Sequence, residues 1–524
     1  MKRKVRRIEK MCKLSVFKNG KIVTMEKKLS EADSIAIENG RIVALGSFSE
    51  LYSFVDKGAD VYDLRGMAVL PGFTDCHAHL VMTGIRSQQL ELGEATSFSD
   101  IIDKLESWDK ENPEDGWLVG WGIDDNILRE GRMPGASDLD KAGVKRAIWV
   151  QRTDGNSSAV NSEGLQQIDI NLNEPSVLKD NKGRPTGIFK TPASFSLRLQ
   201  VLNSLGKEYK QKAVEWSAGF AITKGITSLH PMEYLVDVPI LDEIAESLPV
   251  RLKVYVRSDE IETIIRRGYK TIAGDVLLDG TFGCHTAAIS GFYADNPKEN
   301  GVLYYQNRED FLVELFKRAR EEHIQSAFHS IGDRAIEMHI RLLEKVFGER
   351  PAEPIQHRIE HFVLPNDDQI RRAAKLGIMA SVAPISIRNC SHGGVYSRRL
   401  GVDLVKKTLP LKKMIEAGII VGGNSDTPVY DMNPFYGISE AVNSLNEAQK
   451  ISIMEAIMMY TLNGARLGLR EDDLGSLAVG KMGDMVVLKQ NPFEISSRAL
   501  KNVEVAMTVV GGEIKFKTED IIWN

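Results

Sequence analysis

Apolar runs and amphipathic segments alternate along the middle of this 524-residue chain. Short strand-like runs that alternate with helical segments are typical of repeated βα units around a parallel sheet. Eight such runs are present, so the pattern predicts an α/β fold whose main domain is a closed (β/α)8 TIM barrel. The predicted barrel strands are the run that ends at His77 and the segments 225–230, 250–256, 275–279, 324–329, 358–361, 378–382 and 419–426.

The two ends of the chain show a second pattern, in which short alternating strands are separated by turns. Asn19-Gly20 and Asn39-Gly40 lie between apolar runs, and Asn-Gly dipeptides in that position favour β-hairpins. Residues 484–515 repeat this pattern near the other end. Neither end has enough strand to bury a core alone, so we predict that both ends pair into one β-domain.

These patterns predict three parts. The composite β-domain takes residues 1–70 and 470–524, and the barrel domain takes residues 71–469. The long gap after the first barrel strand, about residues 85–215, contains strands and helices of its own and is predicted to be an inserted subdomain. An insertion at that point of a barrel lies beside its mouth.

Composition narrows the function classes. The chain has 67 Lys and Arg against 72 Asp and Glu, a net charge of -5, which gives no electrostatic case for binding nucleic acid or an anionic membrane. No apolar stretch reaches the roughly 18 residues that a membrane span needs, and the basic residues 2–7 are predicted to be a solvated tail. The four cysteines lie far apart, which fits a reducing cytoplasm. We expect a small-molecule substrate, and a homodimer is the oligomer to test.

Candidate functional residues fall at the ends of the predicted strands. His77 and His79 are spaced i, i+2, so both imidazoles point to the same face of an extended strand. In a (β/α)8 barrel the active site lies at the carboxyl ends of the strands. Further polar residues at predicted strand ends are His230, His329, His361 and Asp426.

This set of side chains suits a divalent transition metal. Imidazole nitrogens and a carboxylate oxygen are ligands for Zn²⁺, Fe²⁺ or Mn²⁺, and we predict Zn²⁺ first among them. The set fits one ion or two. A bound metal ion lowers the pKa of water toward neutrality and polarises a carbonyl group, and both effects favour hydrolysis.

Short motifs rich in Gly, His and Asp mark the predicted strand ends and turns. They are PGFTDCHAH (71–79), GWLVGWG (116–122), DGTFG (279–283), HSIGDRA (329–335), HRIEH (357–361), GNSDTP (423–428) and LGSLAVGK (474–481). With these motifs the chain resembles, over nearly its whole length, the metal-dependent amidohydrolase superfamily and its branch similar to N-substituted formamide deformylase. The resemblance implies a (β/α)8 barrel, a β-sandwich built from both termini, and a hydrolase acting on carbon-nitrogen bonds other than peptide bonds.

The resemblance also implies roles for individual residues. His77, His79 and Asp426 are expected to bind one metal ion, while His329 and His361 bind a second ion or complete a single site. Asp426 is expected to act as the general acid and base, taking a proton from water and returning it to the leaving nitrogen. The predicted catalytic set also includes His230 and His285, as candidates to hold the substrate carbonyl or stabilise its oxyanion.

Three positions depart from the family pattern. Many relatives have a lysine whose carbamate bridges two metal ions where this chain has Asp275, which either ligates an ion itself or leaves a mononuclear site. Cys284 and His285 replace a usual Ser-Arg pair, and a ligand, a substrate contact and a structural role all stay open for them. Asn156 replaces a usual histidine. These changes leave the substrate open.

Three classes of function remain after this step. The leading hypothesis is a hydrolase that cleaves the C–N bond of an amide, a formamide or a cyclic amide. The second is a deaminase of an aminated heterocycle, which would release ammonia. The third is a non-catalytic regulatory or binding relative, for which the missing lysine is the argument. Retention of every histidine ligand and of Asp426 favours an enzyme.

Overall fold

The computed structural model of this chain describes residues 14–26, 32–113, 116–125, 127–153, 155, 157–190 and 193–519. The basic tail at residues 2–7 and the substitution at Asn156 lie outside the described residues. The strands, numbered in chain order, are β1 Leu14–Lys18, β2 Lys21–Ile22, β3 Ser34–Glu38, β4 Arg41–Gly46, β5 Asp60–Asp63, β6 Ala68–Pro71, β7 Phe73–Ala78, β8 Leu90–Glu91, β9 Leu118–Ile123, β10 Ile148–Arg152, β11 Ser157–Val160, β12 Val177–Lys179, β13 Pro185–Lys190, β14 Ile226–Tyr234, β15 Arg251–Leu252, β16 Tyr255–Arg257, β17 Thr271–Leu277, β18 Gln325–Ser330, β19 Arg358–His361, β20 Met379–Val382, β21 Val421–Gly423, β22 Met485–Leu488, β23 Val505–Val510 and β24 Glu513–Lys517.

The amphipathic segments between the strands form helices. Several begin at a capping side chain, and Asn366 and Ser452 each form a full capping box at the start of their helix. No helix in the described part of the chain combines the length and the apolar character needed to cross a bilayer. The α-helices are α1 Tyr52–Asp56, α2 Leu80–Ser87, α3 Phe98–Glu111, α4 Ala136–Leu139, α5 Ser162–Gln167, α6 Ala193–Ser204, α7 Lys207–Thr223, α8 Val238–Ile244, α9 Ile261–Arg267, α10 Glu309–Glu321, α11 Asp333–Phe347, α12 Asp367–Leu376, α13 Val395–Leu404, α14 Leu411–Glu416, α15 Pro434–Val442, α16 Ile453–Met459 and α17 Leu462–Leu467.

Each segment predicted as a barrel strand overlaps a strand of a parallel sheet. β7 pairs in parallel with β14, which also pairs in parallel with β15 and β16. The strands β17 to β21 form a second parallel sheet in chain order. Helices follow most of these strands, as parallel connections require. The predicted α/β class with parallel βα units is confirmed.

The strand ladders of the described residues do not close into a continuous barrel, so closure of the predicted barrel stays a prediction. Ala273 and Asp275 in β17 have φ of 63° and 65°, and residues in this left-handed region interrupt regular strand pairing. Ala273 donates its N–H to the carbonyl of Ser258 at 2.9 Å beside this irregularity. On the other side, an isolated bridge joins Ala78 to Thr427 beyond the end of β21. The irregular positions therefore coincide with strand ends that carry candidate site residues.

Strands from both ends of the chain share one sheet, in the order β2-β6-β22-β23-β24. A second sheet, β4-β3-β1-β5, comes from the N-terminal part alone. One hydrophobic cluster draws side chains from both sheets, including Phe17 and Ile35 from the second and Val69, Val487 and Val509 from the first. Burying these apolar surfaces together is the main stabilising contribution at this end of the protein.

Residues 81–215 form a compact unit of their own. Its sheet has the order β12-β13-β11-β10-β9-β8, with β9 and β10 parallel and β10 and β11 antiparallel. α3 turns Ile101 and Leu105 into an apolar cluster that also contains Ile148 and Val150. Spacing of four residues places Ile101 and Leu105 on one face of the helix, which explains why that face is buried.

A buried histidine outside the predicted site is expected to control stability in acid. His339 in α11 is completely buried against Phe316, and its Nδ1 lies 3.2 Å from the Ser330 hydroxyl. Burial and the neighbouring His357 lower the pKa of His339 to about 3 from 6.5. As the pH falls below 6.5, His339 binds a proton in the unfolded chain but not in the folded chain. This residue therefore lowers the free energy of unfolding by about 1.4 kcal/mol per pH unit.

We therefore expect His339→Leu to flatten the decline in unfolding free energy between pH 6.5 and pH 4. Urea denaturation at several pH values measures the slope, and His392→Leu is the control because His392 is exposed. Equal slopes in the parent and the His339→Leu variant would contradict the prediction.

Candidate metal centre

β7 brings the first two candidate ligands to its carboxyl end. His77 is completely buried, and its Nδ1 donates a hydrogen bond to Glu360 Oε2 at 2.7 Å. The Nε2 atom of His77 is buried and has no hydrogen-bond partner among the described residues. His79 donates from Nδ1 to the carbonyl of Met232 at 3.1 Å. Each ring is thus anchored through Nδ1 and presents Nε2 to the site, as in histidines that bind metals.

Asp275 stands between two pairs of histidines. Its carboxylate lies 3.9 Å from His77 Nε2 and 3.7 Å from His79 Nε2. On its other side, Asp275 Oδ1 lies 3.1 Å from His329 Nδ1 and 3.2 Å from His361 Nε2. The ligand atoms of each group of three, Asp275 with His77 and His79 or with His329 and His361, lie within 4.8 Å of one another. The sequence-predicted histidine ligands, from the ends of β7, β18 and β19, therefore converge on Asp275.

Asp426 completes the cluster from beyond the end of β21. Its Oδ1 lies 3.4 Å from the Nε2 atoms of both His77 and His79. The residue has a φ of 52°, and its backbone N–H donates to the carbonyl of His77 at 3.0 Å. Burial raises the pKa of this carboxyl, but the surrounding histidines outweigh burial and lower it, so Asp426 is ionised at neutral pH.

Arg257 is a site residue that the sequence analysis missed. It is the last residue of β16, and its Nη2 lies 3.2 Å from Asp275 Oδ2. The side chain is one-fifth exposed, and its guanidinium lies 5.0 Å from the ring centre of Tyr234. Its position at a strand end was the available signal, because the predicted strand 250–256 ends directly before it.

A buried ion-pair network holds His77 from behind. Arg358 is completely buried and donates through Nε to Glu360 Oε1 at 2.5 Å and through Nη2 to Glu360 Oε2 at 3.0 Å. Arg358 also donates to the carbonyl of Cys76 at 2.5 Å and lies 3.2 Å from His230 Nδ1. Arg358 therefore fixes the orientation of the Glu360 carboxylate and, through the carbonyl of Cys76, that of the strand that carries His77.

His230 contacts Arg358 in this network. It does not belong to either group of three possible ligands that contains Asp275. Its ring is buried beside Tyr255, with ring centres 5.7 Å apart. Burial and the cation of Arg358 hold the pKa of His230 well below its usual range, so the ring is neutral and its Nδ1 accepts from Arg358. The catalytic role predicted for His230 stays a prediction.

His285 lies in the loop after β17. Its Nε2 lies 2.9 Å from Asp295 Oδ1, and its ring packs edge-on against Tyr293 with 4.8 Å between centres. Asp295 also pairs with Arg399, while Cys284 is exposed. The contacts of His285 with Asp295 and Tyr293 therefore lie within its own loop, and its predicted role toward substrate stays a prediction.

Two buried aspartates fix the backbone around the site. Asp75 accepts from the N–H of His77 at 3.2 Å and from the hydroxyl of Ser425 at 2.5 Å, which ties β7 to the segment that carries Asp426. Asp279 accepts from three backbone N–H groups, those of Ala288, Ile331 and Gly332, at 2.8 to 2.9 Å. Burial raises the pKa of each aspartate to about 6. Both aspartates therefore hold the backbone in place beside the candidate ligands by accepting hydrogen bonds.

The residues present fit a divalent cation. The buried Nε2 of His77 has no hydrogen-bond partner among the described residues, and two carboxylates lie within 4 Å of it. Although burial alone would lower it, the carboxylates of Asp426, Glu360 and Asp275 raise the pKa of His77 to about 9. The same negative potential favours a bound cation at this point.

A cavity of about 690 Å³ opens next to Arg257 at the carboxyl ends of β14, β16 and β17. Aromatic side chains and one further cation line it, and they include Tyr234, Tyr304, Tyr305 and Arg308. Tyr305 donates its hydroxyl to Asp259 at 2.6 Å, which fixes that ring. The volume matches that of small-molecule sites in proteins.

The parallel α/β fold and the histidine–aspartate cluster define the class of a metal-binding hydrolase. The model of the Amidohydrolase family matches residues 60–516, and the chain belongs to that family. YtcJ of Bacillus subtilis (strain 168), which is named as an amidohydrolase, is 28% identical over 96% of this chain and 99% of its own length. N-substituted formamide deformylase of Arthrobacter pascens is 23% identical over 95% of this chain and 97% of its own length. The family predicted from the motifs is confirmed.

A solved structure agrees with this assignment. An uncharacterized metal-dependent hydrolase from Pyrococcus furiosus superimposes with a TM-score of 0.79 and is 25% identical, covering 92% of this chain and 100% of its own. The likeness extends over the whole fold, so the parallel sheets and the terminal β-domain strands belong to one shared architecture.

Proposed function

We propose that this chain hydrolyses a C–N bond of a small molecule, in an amide, a formamide or a cyclic amide, with a divalent metal ion. The observation that carries the proposal is the convergence of His77 Nε2, His79 Nε2 and Asp426 Oδ1 within 3.4 Å contacts at the strand ends. The relative that is named for cleaving N-substituted formamides supports the formamide class. The complete set of ligands argues against a purely regulatory relative.

His77, His79 and Asp426 would hold the ion, and Asp275, His329 and His361 would complete this site or form a second position. Zinc, iron and manganese all accept these nitrogen and oxygen donors, and zinc is the first choice. When bound, the ion supplies a Lewis acid that lowers the pKa of water and polarises the scissile carbonyl.

Asp426 would perform the proton transfers. Its carboxylate is ionised at neutral pH and is slightly exposed, so it can accept the proton of the attacking water. Returning that proton to the leaving nitrogen expels the amine. The contact of Asp426 N–H with the carbonyl of His77 fixes the carboxylate beside both histidines, which keeps the base in place between the two steps.

The cavity beside Arg257 would receive the part of the substrate that does not react. Its tyrosines provide flat apolar surface, and Arg308 stacks 4.4 Å from the Phe311 ring and 5.4 Å from the Tyr305 ring. An aromatic or apolar amine substituent fits this lining. We further propose that the two parallel sheets serve as the (β/α)8 frame of the family, because irregular contacts rather than missing strands separate them.

Removing the metal is expected to abolish hydrolysis. Protein treated with a chelator and dialysed should lose activity to background, and added Zn²⁺, Mn²⁺ or Fe²⁺ should restore it, because without the ion nothing polarises the carbonyl. The assay follows amine release from a panel of N-substituted formamides, N-acyl amines and cyclic amides. His79→Ala should lower metal content and activity together, because His79 Nε2 lies 3.4 Å from Asp426 Oδ1. His392→Ala, at an exposed histidine, should change neither.

The same panel separates the alternatives. Aminated heterocycles are added to it, and ammonia is measured alongside amine release. Ammonia from a heterocycle without hydrolysis of any amide would replace the proposal with the deaminase hypothesis. Metal-loaded protein that turns over none of these compounds would favour the binding relative.

A further inference from the structure

Arg257 gives this metal centre a fixed positive charge. Its guanidinium reaches Asp275 Oδ2 at 3.2 Å from the end of β16. Arginine stays protonated in proteins, so this charge is permanent. The other ion pairs that the described residues form with Asp275 involve histidines and need a protonated ring, whereas the pair with Arg257 does not.

The two oxygens of Asp275 have different partners. Oδ1 lies 3.1 Å from His329 Nδ1 and 3.2 Å from His361 Nε2, whereas Oδ2 faces the guanidinium of Arg257. A carboxylate that bridges two ions uses lone pairs on both sides, and here the guanidinium already occupies one of them. Asp275 is therefore held as an ion-pair partner rather than left open as a bridge.

The two histidine pairs also differ. His77 presents a buried Nε2 without a hydrogen bond among the described residues, which is ready to ligate. His329 has both ring nitrogens near oxygens, with Nδ1 3.1 Å from Asp275 Oδ1 and Nε2 3.2 Å from the carbonyl of Gly280. The position between His77, His79 and Asp426 thus offers a ring nitrogen without a competing hydrogen bond, whereas both ring nitrogens of His329 already lie within 3.2 Å of an oxygen.

We propose that Arg257 limits this centre to one tightly bound divalent ion, held by His77, His79 and Asp426. The guanidinium takes the place of a second ion at Asp275. One divalent ion together with Arg257 already exceeds the charge of the Asp275 and Asp426 carboxylates, so a second divalent ion would meet net repulsion. The inference rests on the proposed metal-dependent function and adds to it the number of ions.

The test measures metal stoichiometry in the full-length protein. Wild type, Arg257→Gln and Arg257→Lys are stripped of metal, titrated with Zn²⁺ by calorimetry, and analysed by plasma mass spectrometry after dialysis. We expect one Zn²⁺ per chain for wild type and for Arg257→Lys, which keeps the charge. Arg257→Gln removes the charge and is expected to bind a second Zn²⁺ at least tenfold more tightly than wild type does.

Two results would overturn the inference: two tightly bound ions in wild type, or no gain of a second ion in folded Arg257→Gln. Circular dichroism checks folding of the variants, and Asp275→Asn provides an independent measurement if Arg257→Gln does not fold. Asp275→Asn is expected to keep its single Zn²⁺, and loss of that ion would also overturn the inference. If wild type binds two ions and hydrolyses a substrate, only the inferred number of ions is refuted. If wild type binds one Zn²⁺ and hydrolyses no substrate, only the proposed function is refuted.

Discussion

Asp426→Asn is expected to lower kcat by about 10³-fold, within the range typical of losing a general acid–base group. Asparagine keeps the shape and the backbone contact to the carbonyl of His77 but can neither accept the proton of the attacking water nor return it to the leaving nitrogen. Steady-state kinetics on the best substrate of the amide panel measures kcat and KM. Metal content measured on the same samples separates lost proton transfer from lost ligation.

Asp431→Asn is the matched control for this change. Asp431 is an exposed aspartate five positions further along the chain, and its carboxylate accepts from the backbone N–H of Asn433 at 2.8 Å. Its replacement should leave kcat unchanged. An Asp426→Asn variant that keeps both its metal and most of its kcat would remove Asp426 from the proposed acid–base role.

Glu360→Gln is expected to destabilise the protein by about 3 kcal/mol, because it leaves the buried cation of Arg358 without its counter-charge. Arg358 and Glu360 are both completely buried, so water cannot replace the lost partner. The same change removes the carboxylate that orients His77 through Nδ1, and loss of such a partner typically weakens metal affinity by about 10-fold to 100-fold. Denaturant unfolding of metal-free protein measures the first effect and Zn²⁺ titration the second.

Glu337→Gln tests whether burial of the ion pair causes the loss of stability expected for Glu360→Gln. Glu337 pairs with Arg372 at 2.8 Å, but its side chain is 42% exposed, and ion pairs of this kind contribute roughly 0 to 1 kcal/mol. We expect little change in stability or in metal affinity for this variant. If the two glutamate variants lost the same stability, the buried network would have no special energetic role.

The candidate ligands were predictable because a single geometric rule connects sequence to position. Parallel strands expose their carboxyl ends at one edge, so polar residues that end apolar runs must meet there. His77, His329, His361 and Asp426 follow this rule, and the structure brings them around Asp275. Their roles as ligands and catalyst stay predictions.

The same rule applied to every charged residue would have found Arg257. An arginine after an apolar run resembles ordinary solvated surface in a sequence, and its ion pair with Asp275 depends on a contact between two different strands. The break in the strand ladder at β17 was equally invisible in the sequence. The left-handed φ values of Ala273 and Asp275 are imposed by tertiary contacts and leave no trace in the apolar pattern.

The shared terminal sheet has a consequence for synthesis. β6 leads through Gly72 into β7, and its sheet partner β22 comes from the other end of the chain, with Leu70 paired to Val486. A ribosome must therefore translate past β22 before β6 gains this neighbour. Contacts this distant in sequence form late in folding, so a nascent chain releases most of its length before the terminal sheet can form. Formation of this sheet is in this way coupled to synthesis of β22 and β23.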